Sequence, residues 1–313
     1  MTTASLGGAT PRSSRRRHRA TNDLGAAALF LGPFFALFAL CLLAPVVYAL
    51  VLSVFAEKRS GIGFGGDAQT LFVGFDNYVA VLTSESFVAG FGRLALYVVL
   101  YIPTMLGLAL VLALLLDSAY ARLARVFQVL LFLPHIVPGV IAALLWTYLY
   151  TPGVSPILGL LGGAGVQLDL FGTTLIVPAV VNIAVWQWTG YNVIIVFTAL
   201  QAVPREVVEA ASLDGAGGVR IAVGIKLPLV AGSVGVIGLF TAIGALQLFT
   251  EPSILAKATT TITPSWVPNM WAYDAAFNRL DQHQAAAASL VIALIAGAVS
   301  FAITRLTSKG ART

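Results

Sequence analysis

The chain has 313 residues, of which 58% are hydrophobic and only 10% charged. Soluble domains carry about 25% charged residues, so this chain has too few charges to keep a folded globule of its length in water. A cytosolic enzyme, a nucleic-acid module and a disordered chain are excluded on that ground, and the lipid bilayer remains as the solvent. The single cysteine, Cys41, excludes an intramolecular disulfide framework and a cysteine-based metal site.

A membrane helix needs roughly 20 apolar residues to cross about 30 Å of hydrocarbon. The first charge-free stretch, Leu24 to Ala56, is too long for a removable signal peptide and holds one span, with Pro45 as a kink point. The second, Leu94 to Leu116, lies between Arg93 and Asp117. The third, Val126 to Leu168, holds one helix that ends near Tyr150, because Thr151-Pro152-Gly153 and Gly162-Gly163 follow. Spans four, five and six fall within Thr173 to Val203, Leu229 to Leu255 and Gln284 to Thr304, the last opening on the tract Ala285 to Ala288. Small residues there allow close helix approach. The expectation is an all-α polytopic membrane protein of six transmembrane helices.

Basic residues beside membrane spans are retained on the cytoplasmic side. With both termini cytoplasmic, the inner segments hold thirteen of the eighteen Lys and Arg and only five of the thirteen acids. The cluster Arg15-Arg16-Arg17-His18-Arg19 reads as a topology anchor meeting lipid headgroups rather than nucleic acid. The expected organisation is a basic cytoplasmic tail (1–23), a six-helix permease domain (24–306) containing an inner loop (203–228), and a short cytoplasmic tail (307–313).

That inner loop carries the most information. Pro204 suits a helix start, Glu206 favours the positive end of the helix dipole, and Gly215 is placed to end the helix in a left-handed conformation. A second short helix is expected from Val219 to Ile225, stopped by Pro228 ahead of span five. The product is a helix–turn–helix with a small apolar face, suited to docking into a groove on another protein.

The string Glu209-Ala210-Ala211, three residues, Gly215, nine residues, Ile225, one residue, Leu227-Pro228 resembles the EAA loop of ABC importer permeases, in spacing as well as in identity. The resemblance implies a type I importer fold. It also implies that Glu209, Ala210, Ala211 and Gly215, with Ile225, Leu227 and Pro228, form the surface that meets an ATPase subunit. The chain has no Gly-x-x-x-x-Gly-Lys-Ser/Thr, so no cofactor is expected on it; ATP and Mg²⁺ belong to the partner ATPase. The implied partners are a second permease chain, two ATPase copies and an extracytoplasmic solute-binding protein.

Other strings resemble the maltose-type sugar permeases. They are Gly74-Phe75-Asp76-Asn77-Tyr78, Leu133-Pro134-His135-Ile136-Val137-Pro138 with Trp146, Tyr150 and Pro152, and Phe249-Thr250-Glu251-Pro252 with Tyr273 and Ala276-Phe277. Arg93 departs from the asparagine usual in that family. The resemblance implies import of a di- or oligosaccharide.

A sugar needs aromatic faces for its C–H surfaces and amides or hydroxyls for its O–H groups. Span four supplies Asn182, Trp186, Gln187, Trp188, Thr189, Tyr191 and Asn192. Trp188, Tyr191 and Asn192 share one helical face, and Tyr191 matches a sugar-contacting tyrosine of related permeases. An interfacial aromatic belt is the competing reading. Span five adds Thr241, Gln247 and Thr250. Glu251 is readable as a buried coupling carboxylate, but its place in the span favours a solvated outer position. The three histidines are scattered, so no metal site is expected. A glycerol-phosphate ester is the alternative cargo, although spans four and five hold no cluster of cations. An ion-coupled transporter would place ionisable groups at the midplane, and the span centres are uncharged.

Overall fold

The computed structural model describes residues 28–59, 68–118 and 123–310. The basic N-terminal cluster, Arg122 and Arg312 lie outside the described residues. The chain divides into two units, Met1–Leu52 and Ser53–Thr313. In the first, helix α1 (Ala28–Ser53) carries a π turn at Ala39–Leu43, with the Ala44 N–H bonded to the Ala39 carbonyl. Pro45 follows directly. A wide turn ahead of a proline accommodates the ring and the missing N–H without ending the helix.

The second unit begins with an antiparallel hairpin, β1 (Phe55–Arg59) and β2 (Ala68–Phe72), pairing Phe55 with Phe72 and Glu57 with Thr70. This pair is an addition to the all-α expectation. It is held by the residues that follow it. Asn77 Nδ2 donates to the carbonyls of Ser53 (2.9 Å) and Phe55 (2.8 Å), and Ser53 Oγ lies 2.7 Å from the Tyr78 hydroxyl. Gly74 has φ +59°, and Asp76 opens helix α2 (Asp76–Thr83) at its positive end. The Gly-Phe-Asp-Asn-Tyr string is therefore a turn, a helix start and two anchors for the preceding hairpin.

Span two is helix α3 (Glu85–Leu116), which begins nine residues earlier than expected. Arg93 was read as a boundary but lies within the helix, where its Nη1 donates to the Trp266 carbonyl at 2.9 Å. A charge is admissible inside a long helix when its head group finds a fixed acceptor. Along α3, Leu94, Tyr97, Tyr101, Met105, Ala109, Ala113 and Leu116 form one buried stripe at helical spacing.

The third span is not one straight helix. Helix α4 (Ala124–Ile136) and helix α5 (Gly139–Tyr150) meet at 94°. Val137 precedes Pro138 and is extended (φ −69°, ψ 124°), as the proline ring requires. The expected end at Tyr150 is observed. Beyond it lies a short helix α6 (Pro156–Gly163), capped by Ser155 Oγ, which accepts from the Leu158 N–H.

Span four is helix α7 (Ile176–Gln201), packed along α3 and across α4. The crossing with α4 is made at Gly190, where a Cβ would lie 1.7 Å from the Leu131 carbonyl oxygen. Only a glycine permits that approach. Helix α8 (Arg205–Leu213) follows, then α9 (Gly218–Ile221), a π turn (Ala222–Lys226) and α10 (Leu227–Leu246).

Pro228 does not stop the loop helix. α9, the π turn and α10 run on as one helix, and the Leu227 N–H reaches the Ala222 carbonyl ahead of the proline. The device repeats the one at Pro45. Span five therefore begins eleven residues before the expected Leu229. Helices α11 (Thr250–Leu255) and α12 (Pro268–Tyr273) lead to the last span, α13 (Gln282–Gly310), which is longer at both ends than expected. Ala285, Ala286, Ala287 and Ala288 are all buried there, and a second cluster unites three of them with Val81, Phe87 and Trp271. Among the described residues, five helices are long and apolar enough to cross a membrane, and the bent pair α4–α5, counted as one span, makes six.

Candidate functional site

Helices α3, α7, α10 and α11 enclose a cavity of about 250 Å³. From α7 come Trp188, Tyr191 and Asn192, the three residues expected to share a face. Thr241 lines the cavity from α10 and Gln247 from the residue that caps it; Phe249, Thr250 and Glu251 complete that side. Tyr97 and Tyr101 of α3 also line it, their rings stacked with centroids 5.3 Å apart. Of the residues read from the sequence as pathway candidates, the fold brings Trp188, Tyr191, Asn192, Thr241, Gln247 and Thr250 together here.

Gln187 is elsewhere. It is buried, and its Nε2 donates to the Val137 carbonyl at 2.8 Å. The break at Pro138 frees carbonyls that a membrane interior cannot hydrate, and Gln187 satisfies one of them. The polar–aromatic residues of α7 thus divide by face. Asn182 Nδ2 donates to the Tyr150 hydroxyl (2.8 Å), which in turn donates to the Ala179 carbonyl (3.0 Å), while Trp186 packs edge-on against Trp146. These bind α7 to α5.

Glu251 corrects a second expectation. It lies within span five, near its end as read. It is half-buried on the cavity wall with the two tyrosines of α3. α10 ends at Leu246, and Gln247 to Phe249 interrupt the helix before α11 within the same span.

His135, at the end of α4, was read as an isolated residue. Its ring stacks on Tyr191 (4.6 Å, 27°) and meets Trp188 edge-on (4.7 Å, 61°), bracing both cavity aromatics. No sequence spacing links positions 135 and 191; only the α4–α7 crossing does. Tyr97 and Tyr101 were also missed, although two tyrosines four residues apart in an otherwise aliphatic span were a usable signal.

The inner loop forms a second locus. Pro204 caps α8 in extended geometry (ψ 133°), one residue ahead of the helix. The helix ends as its sequence suggests: Gly215 has φ +81°, its N–H bonds the Ser212 carbonyl (3.1 Å), and the Ala216 N–H bonds the Ala211 carbonyl (2.9 Å). This is the Schellman pattern. Glu209 and Ala210 are exposed, Ala211 is half-buried, and Leu213 and Val219 are apolar yet 89% and 79% exposed. Ile225 and Leu227 are half-buried and Pro228 is exposed. Asp117, at the end of α3, ties both ends of the loop: Gln201 Nε2 donates to its Oδ1, and Lys226 Nζ pairs with its Oδ2.

Residues 33–312 match the family described as binding-protein-dependent transport system inner membrane component. The chain is 28% identical over 298 residues to the diacetylchitobiose uptake system permease protein NgcF of Streptomyces coelicolor, covering 90% of this chain and 82% of that one. It is 34% identical over 160 residues to the sn-glycerol-3-phosphate transport system permease protein UgpA of Yersinia enterocolitica, covering 51% and 54%. Among solved structures, a chain of a bacterial alginate ABC transporter, in complex with an alginate pentasaccharide-bound periplasmic protein, superposes with a TM-score of 0.80. It is 20% identical, covering 95% of this chain and 98% of that one.

Proposed function

Because the chain belongs to the family of binding-protein-dependent transport system inner membrane components, we propose that it is the membrane-spanning subunit of an ATP-driven importer that carries a di- or oligosaccharide into a bacterial cytoplasm. The observation that carries the sugar reading is the cavity wall, which is lined both by aromatic side chains of α3 and α7 and by the amides of Asn192 and Gln247 and the hydroxyl of Thr241. Aromatic rings cover the apolar faces of a sugar ring, while amides and hydroxyls exchange hydrogen bonds with its hydroxyls. The nearly full-length likeness to a diacetylchitobiose permease supports the same cargo class.

The partners follow from the two loci. Small-molecule sites run to roughly 300–1,000 Å³, and this cavity falls just below that range. A second, similar permease supplies the facing wall. The exposed Glu209-Ala210 surface and the bare Leu213 and Val219 side chains dock in a cleft on one of two ATPase subunits, which hold ATP and Mg²⁺. ATP-driven closure of the ATPase pair pulls on the loop. The continuous helix from Gly218 through the π turn carries that motion into α10 and the cavity wall, and Asp117 carries it into α3. A solute-binding protein delivers cargo at the outer face. Both termini lie in the cytoplasm of a cell whose inner membrane holds the protein, in keeping with basic residues at the inner ends of the spans.

The UgpA likeness favours a second reading, import of a glycerol-phosphate ester, over about half the chain. The cavity wall contains no Lys, Arg or His, and a phosphate bound in a membrane-embedded site needs such a partner. Uptake of labelled disaccharides and of labelled sn-glycerol 3-phosphate, in a strain deleted for this chain and complemented with it, tests the assignment. Restored disaccharide uptake supports it; restored phosphate-ester uptake alone overturns the cargo.

A further inference from the structure

The geometry points to Glu251 as a charge selector in the solute pathway, favouring cargo with a protonated amine, tolerating neutral sugars and rejecting anionic ones such as uronates and sugar phosphates. The inference rests on reading the cavity as that pathway. Glu251 is the one carboxylate on the wall, and no basic side chain lines the cavity with it. Among the described residues the ion pairs are Lys226–Asp117 and Arg279–Asp274, and neither reaches it. Among the described residues of this chain, its carboxylate therefore has no cationic side chain beside it in the cavity.

The aromatic surfaces act in the same sense. Tyr97, Tyr101, Trp188 and Tyr191 line the same cavity, and the quadrupole of an aromatic ring attracts a cation over its face. An ammonium group on a sugar ring gains a charge-assisted hydrogen bond to the Glu251 carboxylate and a cation–π contact. A neutral hydroxyl gains only the hydrogen bond. A carboxylate or phosphate meets like charge in a low-dielectric site, a repulsive element of the kind that sets specificity. Only the packing of α3 and α7 against the end of span five puts Glu251 beside their aromatic residues.

The test uses three disaccharides of one size and different charge: chitobiose, with two free amines, N,N′-diacetylchitobiose, which is neutral, and cellobiouronic acid, which is anionic. Their binding to the purified full complex, with its partner permease and ATPases, is read by tryptophan fluorescence quenching. The expected order is cationic, neutral, anionic, with at least tenfold between first and last. In Glu251→Gln that spread falls below threefold. In Glu251→Asp, which keeps the charge, it persists, so a merely structural role is separated from charge selection. Equal binding of the three sugars by the wild type, or an unchanged spread in Glu251→Gln, overturns the selector and leaves the sugar reading intact. Binding of sn-glycerol 3-phosphate with none of the three sugars overturns both, as does binding of none of the probes.

Discussion

In the cavity wall, the lining side chains are held by other side chains of the same protein. His135 braces Trp188 and Tyr191, and Tyr97 stacks on Tyr101. In the inner loop the exposed residues Glu209, Ala210 and Leu213 are held by backbone geometry instead: a nine-residue helix closed by Gly215 and pinned at its base by Asp117. A substitution in the wall is therefore transmitted to its neighbours. A substitution on the loop surface leaves the chain folded and removes only what a partner would touch.

The largest effect is expected in the scaffold behind the wall. Gly190→Ala drives a methyl group into the Leu131 carbonyl, and overpacking of that kind costs about 3 kcal/mol or more. Thermal unfolding of the detergent-solubilised protein is expected to show a markedly lowered Tm, with poor membrane yield; a wild-type melting curve breaks the account of the α4–α7 crossing.

Gly215→Val comes next. A β-branched residue at φ +81° costs about 1–2 kcal/mol, so the loop distorts while the spans insert normally. Uptake is expected to fall roughly tenfold, since about 1.4 kcal/mol corresponds to a factor of ten. Glu209→Ala should reduce co-purification of the ATPase to a similar degree without moving Tm. Normal transport by both variants removes the docking surface from this loop.

Tyr191→Ala sharpens the other side of the comparison. It removes one aromatic face from the wall and the stacking partner of His135, a loss of about 1 kcal/mol. A severalfold change in apparent affinity for cargo is expected, with ATPase association unchanged. An unaltered uptake profile takes Tyr191 out of the pathway.

The smallest effect is expected for Asp117→Asn, which keeps an acceptor for Gln201 and loses the ion pair with Lys226. A part-exposed pair contributes about 1 kcal/mol or less. The expected result is a twofold to threefold loss of cargo-stimulated ATP hydrolysis at unchanged cargo affinity. Full coupling in this variant dissociates α3 from the loop.

Much of the loop was legible because its information is local. Gly215 closes the helix six positions after Glu209, and both lie in one short string. Pro228 misled for a local reason too: a proline ordinarily ends a helix, and only the π turn at Ala222–Lys226 shows how this one is absorbed. In the wall, the i, i+3, i+4 spacing placed Trp188, Tyr191 and Asn192 on one face correctly. The same periodicity gave no means of separating Gln187, whose partner is a carbonyl 50 positions away. His135, Tyr97 and Glu251 come from three different helices, so no window of sequence contains their encounter.

The amino-acid order alone determined the solvent, the count of six spans and the character of the inner loop, because hydrophobic length, charge scarcity and turn chemistry act over tens of residues or fewer. Tertiary structure decided which polar groups of the spans seal the scaffold and which face the cavity. In a bilayer interior every freed backbone carbonyl needs a protein donor, and whether an amide such as Gln187 is spent on that need or left for solute depends on which helix lies beside it.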